Sequence, residues 1–492
     1  MKEELSKYER RKPEQTILYK VISENLDTFI DMASSDPDKI GLTKYVEKEL
    51  EAFLRCGIHA HGICLVRCMG EEKTEACRGD IAIPFSCKYR GFCPSCSQRR
   101  MYGKAIFLCE HVLPKVDIRQ WVLSVPFELR YWMAADDKIL KKVNKIVVRE
   151  ISKLLRKKLG GKKFCKIECG LVSFIQRSSS DLALNYHFHI LALDGVYTWN
   201  KNPEIKPKFR KISQPTDQEV EEVVVRIRDR SLKYLVEIGK LTCDDGEFAF
   251  SDCHEELDEL GRIKIAAVRR RIALGERAGE RVREIGRSFG KTGEQASITG
   301  ERTASVNGFS LHANRRVKKN KREELEFLIR YISRGEVSED SLSLDENSDV
   351  ILTLKRPFSN GTTAIKFSPL ELIEKISSII PYPYKNLIIY SGCFAPNSKM
   401  RVLIVPGSEK PPEGVEKARG YYIPWAELLR KVYGEDLFVC PHCGGDRKIV
   451  AVITKADILR KILQHLNLPP DPQAHSKSLL SRYDDFDDTD YF

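Results

Sequence analysis

Apolar positions along the chain change their period several times, and the changes mark its parts. Up to about residue 55 the spacing is helical. In TKYVEKELEAFLRC it sets Tyr45, Leu50, Phe53 and Leu54 close to one face. From Cys56 to about Arg100 no long period survives, and Gly, Pro and Ser content suits knuckles and loops. From about Val116, RQWVLSVPFEL reads as a strand running into a turn at Pro126, ADDKILKKVNKIVVREISKLLRKKL as an amphipathic helix, and CKIECGLVSFIQ and LALNYHFHILAL as two strands. Strand, helix, strand, strand predicts an α+β domain with an antiparallel sheet, not the alternation of a doubly wound fold.

Between about 198 and 305, QEVEEVVVRIRDRSLKYLVEIGKL predicts a long helix and AAVRRRIALGERAGERVREIGR a partly helical basic segment, followed by a glycine-rich loop. DVILTLKRPF, TAIKFSP, NLIIYSG and KMRVLIVP are strand-like, and PWAELLRKVYG, a cysteine knuckle and a helix at ADILRKILQHLNL close the ordered part. The division is therefore 1–55 helical, 56–110 cysteine-rich, 115–335 the α+β domain with an insertion over about 198–305, 336–425 β-rich, 426–470 the knuckle and closing helix, and 471–492 an acidic tail.

At 492 residues the chain is too long for one core, so three or four units are expected. No apolar run is long enough to cross a bilayer, and MKEELSKYERRKPEQ lacks the apolar core of a signal peptide, so a soluble, cytoplasmic protein is expected. The net charge of +12 permits a nucleic-acid partner, and its distribution says more. Cys87 to Lys104 holds five basic residues and no acidic one, and six of the eight residues from Arg315 to Arg322 are basic. SRYDDFDDTDYF runs the other way, as a solvated end.

Seven of the 15 cysteines fall between Cys56 and Cys96, and an odd total argues against a disulfide framework. Cys93-Pro-Ser-Cys96 has zinc-knuckle spacing. Cys68 and Cys77 are the first choice for its partner pair, with Cys87, Cys64 and Cys56 in reserve. Cys440-Pro-His-Cys443 is a second knuckle whose remaining ligands the spacing does not define; His442 and Cys393 are candidates.

Two further patterns carry chemistry. In Tyr186-His187-Phe188-His189-Ile190 both histidines share one face of a strand, and Leu191 and Leu193 continue that face. Two adjacent covered imidazoles suit a divalent ion, although a hydrogen-bonded core pair would read the same. Gln176 and His312 are candidates for a further ligand. In EELEFLIRYIS, Leu325, Leu328, Ile329 and Ile332 form an apolar stripe, and Tyr331 falls at its edge beside Arg330 and Arg334. A tyrosine among arginines can attack a phosphodiester, although a plain boundary tyrosine looks the same. Arg99, Arg100, Arg315, Arg316, Lys318, Lys319, Arg330 and Arg334 are candidate phosphate contacts.

FSCKYRGFCPSCSQRRM, RQWVLSVPFELRY, LVSFIQRSSSDLALNYHFHILALDGVY, GFSLHANRRV, LIRYISR, LKRPFSNGTTAIKFSPLEL and YYIPWAELLRKVYGEDLFVCPHCGG, in this order, resemble the HUH-type rolling-circle transposases of insertion sequences, in the branch with an N-terminal cysteine-rich zinc domain. The resemblance implies an antiparallel palm backed by helices, a magnesium or manganese ion on His187 and His189, and Tyr331 as nucleophile. It implies a 5′-phosphotyrosine intermediate on single-stranded DNA at element ends and target site, structural zinc, and no membrane or small-molecule partner. A related branch has two tyrosines four residues apart; here the earlier position is Phe327, which makes this a single-tyrosine enzyme. Three alternatives are a replication initiator or relaxase with the same chemistry, a non-catalytic zinc-dependent DNA-binding protein, and a degenerate, inactive transposase copy.

Overall fold

The computed structural model describes residues 10–34, 41–72, 75–77, 79–160, 166–199, 206–244, 247–250, 258–286, 300–406, 428 and 437–470. The acidic tail, the glycine-rich stretch at 287–299 and nearly all of PWAELLRKVYG lie outside these residues.

Thr16 caps helix α1 (Ile17–Ala33), and α2 (Lys44–Arg55) buries Val46, Leu50, Phe53 and Leu54 at helical spacing before ending at Cys56. Strands β1 (Ile63–Cys68) and β2 (Ile81–Pro84) pair antiparallel. Helix α3 (Pro94–Phe107) starts immediately after Cys93, with proline in its first turn.

Strand β3 (Ile118–Ser124) leads through Pro126 into α4 (Phe127–Ala135) and α5 (Asp137–Lys157). Strands β4 (Gly170–Ser178) and β5 (Leu184–Leu193) follow, then α6 (Asp217–Glu237), started by a capping box of Thr216 and Glu219. The later elements are α7 (Glu259–Val268), β6 (Arg283–Ile285), β7 (Thr303–Val306), β8 (Phe309–His312), β9 (Arg316–Val317) and α8 (Arg322–Ile332). After them come β10 (Leu342–Leu344), β11 (Val350–Thr353), β12 (Ala364–Phe367), α9 (Pro369–Ile379), β13 (Ile388–Gly392), β14 (Arg447–Ile453) and α10 (Ala456–His465).

The fold mixes helices with antiparallel sheet. The central sheet runs β7-β8-β3-β5-β4-β13, with β9 also on β3. β5 lies inside it and is apolar on both faces, as a strand covered on both sides must be. Tyr186, Phe188, Ile190 and Ala192 join the core that includes Leu129, Met133, Leu140, Val143 and Val147 of α4 and α5. Leu191 and Leu193, on the histidine side, pack with Leu325, Leu328, Ile329 and Ile332 of α8. At the far end of the sheet Arg119 is fully buried against Asp194, Nε to carboxylate 2.8 Å, and Arg316 reaches Asp117 and Asp194. A second sheet runs β6-β12-β11-β10, and β14 pairs along β1, so the C-terminal segment shares a sheet with the cysteine-rich one.

Two segments differ from the sequence pattern. KMRVLIVP forms a helical turn at Arg401–Ile404, not a strand. Met400, Ile404 and Val405 are buried while Val402 and Leu403 are exposed, a helical spacing that a short apolar run cannot distinguish from a strand. In AAVRRRIALGERAGERVREIGR the helix ends at Val268, because Arg270, Gly275 and Gly279 all take left-handed φ, and the chain returns as β6.

Candidate active site and zinc centres

His187 and His189 lie on the middle strand, and the register fixes their neighbours. Across the sheet, His187 is opposite Ser124 on β3 and Gln176 on β4, and His189 is opposite Val122 and Phe174. The two rings stand 5.1 Å apart. His312 also shares this face, but it is opposite Val122 and so two strands from His189, about 9.5 Å at ordinary strand spacing. Gln176 is the adjacent candidate and His312 the remote one.

Each ring has one nitrogen engaged. His187 Nδ1–H donates to the Asn185 carbonyl at 2.7 Å, which leaves the Nε2 lone pair free. Gln120 Nε2 lies 2.8 Å from His189 Nδ1; the same amide turned over would place its oxygen there to accept from Nδ1–H, the orientation that frees Nε2 for an ion. Burial lowers both pKa values. The His187 carbonyl bond and nearby Glu336 oppose the shift, while for His189 the His187 ring and Arg334 add to it and bring it to about 3. Both rings are therefore neutral at physiological pH, the state a metal ligand requires. Neutral imidazoles with free nitrogens, beside an amide oxygen of Gln176, fit a divalent ion.

Helix α8 crosses the histidine face because its apolar stripe covers the same side of the sheet. Gln176 Nε2 donates to the Ile332 carbonyl at 2.8 Å, and Ile332 is the residue after Tyr331. Tyr331 itself is 47% exposed, further out than an edge position suggests, and Phe327, one turn earlier, is 57% exposed. Arg334 lies 5.0 Å from the Tyr331 ring centre, and Arg330 stacks on Tyr102 of α3 at 5.1 Å. Just beyond α8, Gly335 sits against Ser97 of α3, and Glu336 bonds Ser178 at 2.5 Å and pairs with Arg177. Gln176, Ser178, Arg334 and Glu336 line a cavity of about 410 Å³. The sequence reading missed Gln120 and Glu336; an interior polar residue on an otherwise apolar strand was the available signal for Gln120.

The basic candidates divide. Arg334 is at the site and Arg330 is stacked beside it. Arg100 binds the carbonyls of Lys88 and Tyr89 and so ties down the cysteine loop, and Arg99 is also on α3. Lys318 and Lys319 are exposed and Arg315 partly so. Arg316 is held by Asp117 and Asp194, a structural use. This run pairs at Arg119, about 10 to 17 Å along the sheet from the histidines.

The cysteines form two groups of four, each with sulfurs within 4.8 Å of one another. Cys93 and Cys96 join Cys56 and Cys87, not Cys68 and Cys77 as the spacing suggested. The reason is topological. Cys56 ends α2 beside the knuckle, whereas β1 carries Cys68 to its other end, opposite Arg447. Cys68 and Cys77 join Cys440 and Cys443, which supplies the partners the second knuckle lacked. Cys393 is buried in the α8-side core, and neither it, Cys64 nor His442 enters a group. S···S separations of 3.4 to 3.8 Å within the groups match the edge of a tetrahedron with about 2.3 Å Zn–S bonds, about 3.8 Å.

Two thiol groups suited to zinc thus lie in one chain with a paired-histidine strand and a tyrosine-bearing helix. A transposase family model described as "Putative transposase" matches residues 170–401, and one for a transposase zinc-binding domain matches residues 27–125. Together the two matches support an IS91-type transposase family for the chain. The domain match and the thiol groups together support structural zinc. No curated protein and no solved structure matches the chain. Among the described residues no helix is long and apolar enough to cross a membrane.

Proposed function

We propose that this transposase nicks and rejoins single-stranded DNA at the ends of an insertion sequence and at its target, with Tyr331 as the sole nucleophile, by the rolling-circle route. One observation carries the reading: the helix bearing Tyr331 lies on the histidine face and is tied to Gln176, His187's neighbour, through the Ile332 carbonyl.

His187, His189 and Gln176 would hold a magnesium or manganese ion in an HUH palm. When bound, the ion would polarise the scissile phosphate. The Tyr331 oxygen attacks the phosphorus, the bond to the 3′ oxygen breaks, and that oxygen takes up a proton as a free 3′-hydroxyl. The 5′ phosphate stays on Tyr331, and reversal by another 3′-hydroxyl rejoins the strand without ATP. Arg334, over the tyrosine ring, is placed to meet the charge gathering on the phosphate. Exposed Phe327 offers a face for an unpaired base.

The test is incubation of single-stranded end DNA with manganese. A covalent protein–DNA adduct, absent with EDTA and absent in Tyr331→Phe, is expected. An adduct that persists in Tyr331→Phe assigns the nucleophile elsewhere. Binding without cleavage by the wild type favours the non-catalytic zinc-dependent reading.

A further inference from the structure

The second thiol group joins segments far apart in the chain. Cys68 Sγ lies 3.4 Å from Cys443 Sγ, 375 positions away in the chain, and Cys77 Sγ lies 3.8 Å from Cys440 Sγ. These separations are far beyond a disulfide bond length. The two halves are built alike. The Gly70 N–H donates to Cys68 Sγ at 3.4 Å and the Gly445 N–H to Cys443 Sγ at 3.3 Å, each two residues beyond its sulfur. Glycine is required for the approach: a Cβ on Gly70 would lie 2.7 Å from Cys443 Sγ, and one on Gly445 would lie 2.7 Å from the Gly70 Cα. The backbones close with Met69 N–H donating to the Asp446 carbonyl at 2.8 Å.

Arg447 supplies an independent indication. It is opposite Cys68 in the β1–β14 register and 6% exposed, and its Nε has no hydrogen-bond partner among the described residues. Its guanidinium lies against Gly79, where Cys440 and Cys77 sulfurs also converge. Four neutral thiols offer that buried cation no countercharge, whereas four thiolates on one divalent ion carry a net charge of about −2. The matched zinc-binding domain ends at residue 125 and so contains only half of this group.

We propose that Cys68, Cys77, Cys440 and Cys443 hold one zinc ion that fastens the C-terminal segment onto β1, so that β14 stays docked only while the ion is bound. The zinc-binding unit of this transposase is then completed in cis from the other end of the chain, and its two ions have different duties. The ion on Cys56, Cys87, Cys93 and Cys96 anchors α3, and the second fastens the C-terminal strand.

The experiment uses the full chain, with metal content by plasma mass spectrometry, sulfur coordination by zinc-edge X-ray absorption, and amide hydrogen exchange. Two zinc ions per chain, four sulfurs around each, and protected β1 and β14 amides are expected. Cys440→Ser with Cys443→Ser should fall to one zinc and expose β14 while β5 stays protected. Cys87→Ser with Cys93→Ser should also lose one zinc yet leave β14 protected. The proposal is overturned by two zinc ions in the first variant, by a β14 that stays protected in it, or by iron at the second site. If that variant does not fold, the wild type decides alone: one zinc per chain, or a mean below four sulfurs, overturns it.

Discussion

Replacing Gly335 by alanine would load the contact between the zinc-anchored helix and the nucleophile helix. Gly335 is not among the glycines with left-handed φ, so alanine meets no backbone penalty there. The cost is steric. The new Cβ would lie 2.7 Å from Ser97 Cβ and 3.3 Å from its Oγ, and Ser97 follows the zinc-group residue Cys96 on α3. A Cβ cannot rotate away, so α3 or the end of α8 must move. Overpacking of this kind costs about 1–3 kcal/mol, offset by about 0.4–1 kcal/mol from the stiffer unfolded chain. A net loss of about 1–2 kcal/mol in urea unfolding is expected, with a larger relative fall in adduct yield because Tyr331 lies four residues away. Ser97→Gly removes the opposing Cβ and should restore most of both. A Gly335→Ala protein as stable as wild type, or a loss that Ser97→Gly leaves untouched, refutes the reasoning.

Gln120→Leu removes the partner of His189 Nδ1 and should weaken manganese binding about 10- to 100-fold by calorimetry; an unchanged affinity would show that the amide does not set the tautomer. The unfolded chain protonates His189 near 6.5 and the folded chain only near 3, so its stabilisation is complete above pH 6.5 and declines as pH falls toward 3. Without added magnesium or manganese, and with the structural zinc retained, wild type should lose about 1.6 kcal/mol more than His189→Gln between pH 6.5 and pH 5, read from urea midpoints, and parallel curves would contradict this. Arg119→Met strands the buried Asp194 carboxylate; since Arg316 still reaches it, a loss near the lower end of about 3–5 kcal/mol is expected in the same assay.

Elements whose burial follows a single period were legible in the sequence. The stripes of α2, α5 and α8 and the two-sided β5 each carry a strong pattern, and the shared face of His187 and His189 follows from strand geometry alone. What failed to show was partnership across distance. Nothing near Cys440 names Cys68 or Cys77, because the pairing of β14 with β1 creates that proximity. Arg316 read as a phosphate contact because its basic neighbours conceal two carboxylates brought to it by folding. Gln176 and His312 were indistinguishable until the strand order put one beside His187 and the other across β3.

The pairing of β1 with β14 also sets a schedule for synthesis. A ribosome adding about 5 to 20 residues per second needs about 20 to 75 s to go from Cys68 to Cys443, which lie 375 positions apart. Throughout that interval β2 can occupy one edge of β1, but the other edge has no partner. The nascent chain therefore carries an open, largely apolar strand edge past the completion of its central sheet, the kind of edge on which aggregation starts. The last-made part of the described chain is the one that covers it, so a prematurely terminated chain would keep its central sheet and leave that edge open to pairing with other chains.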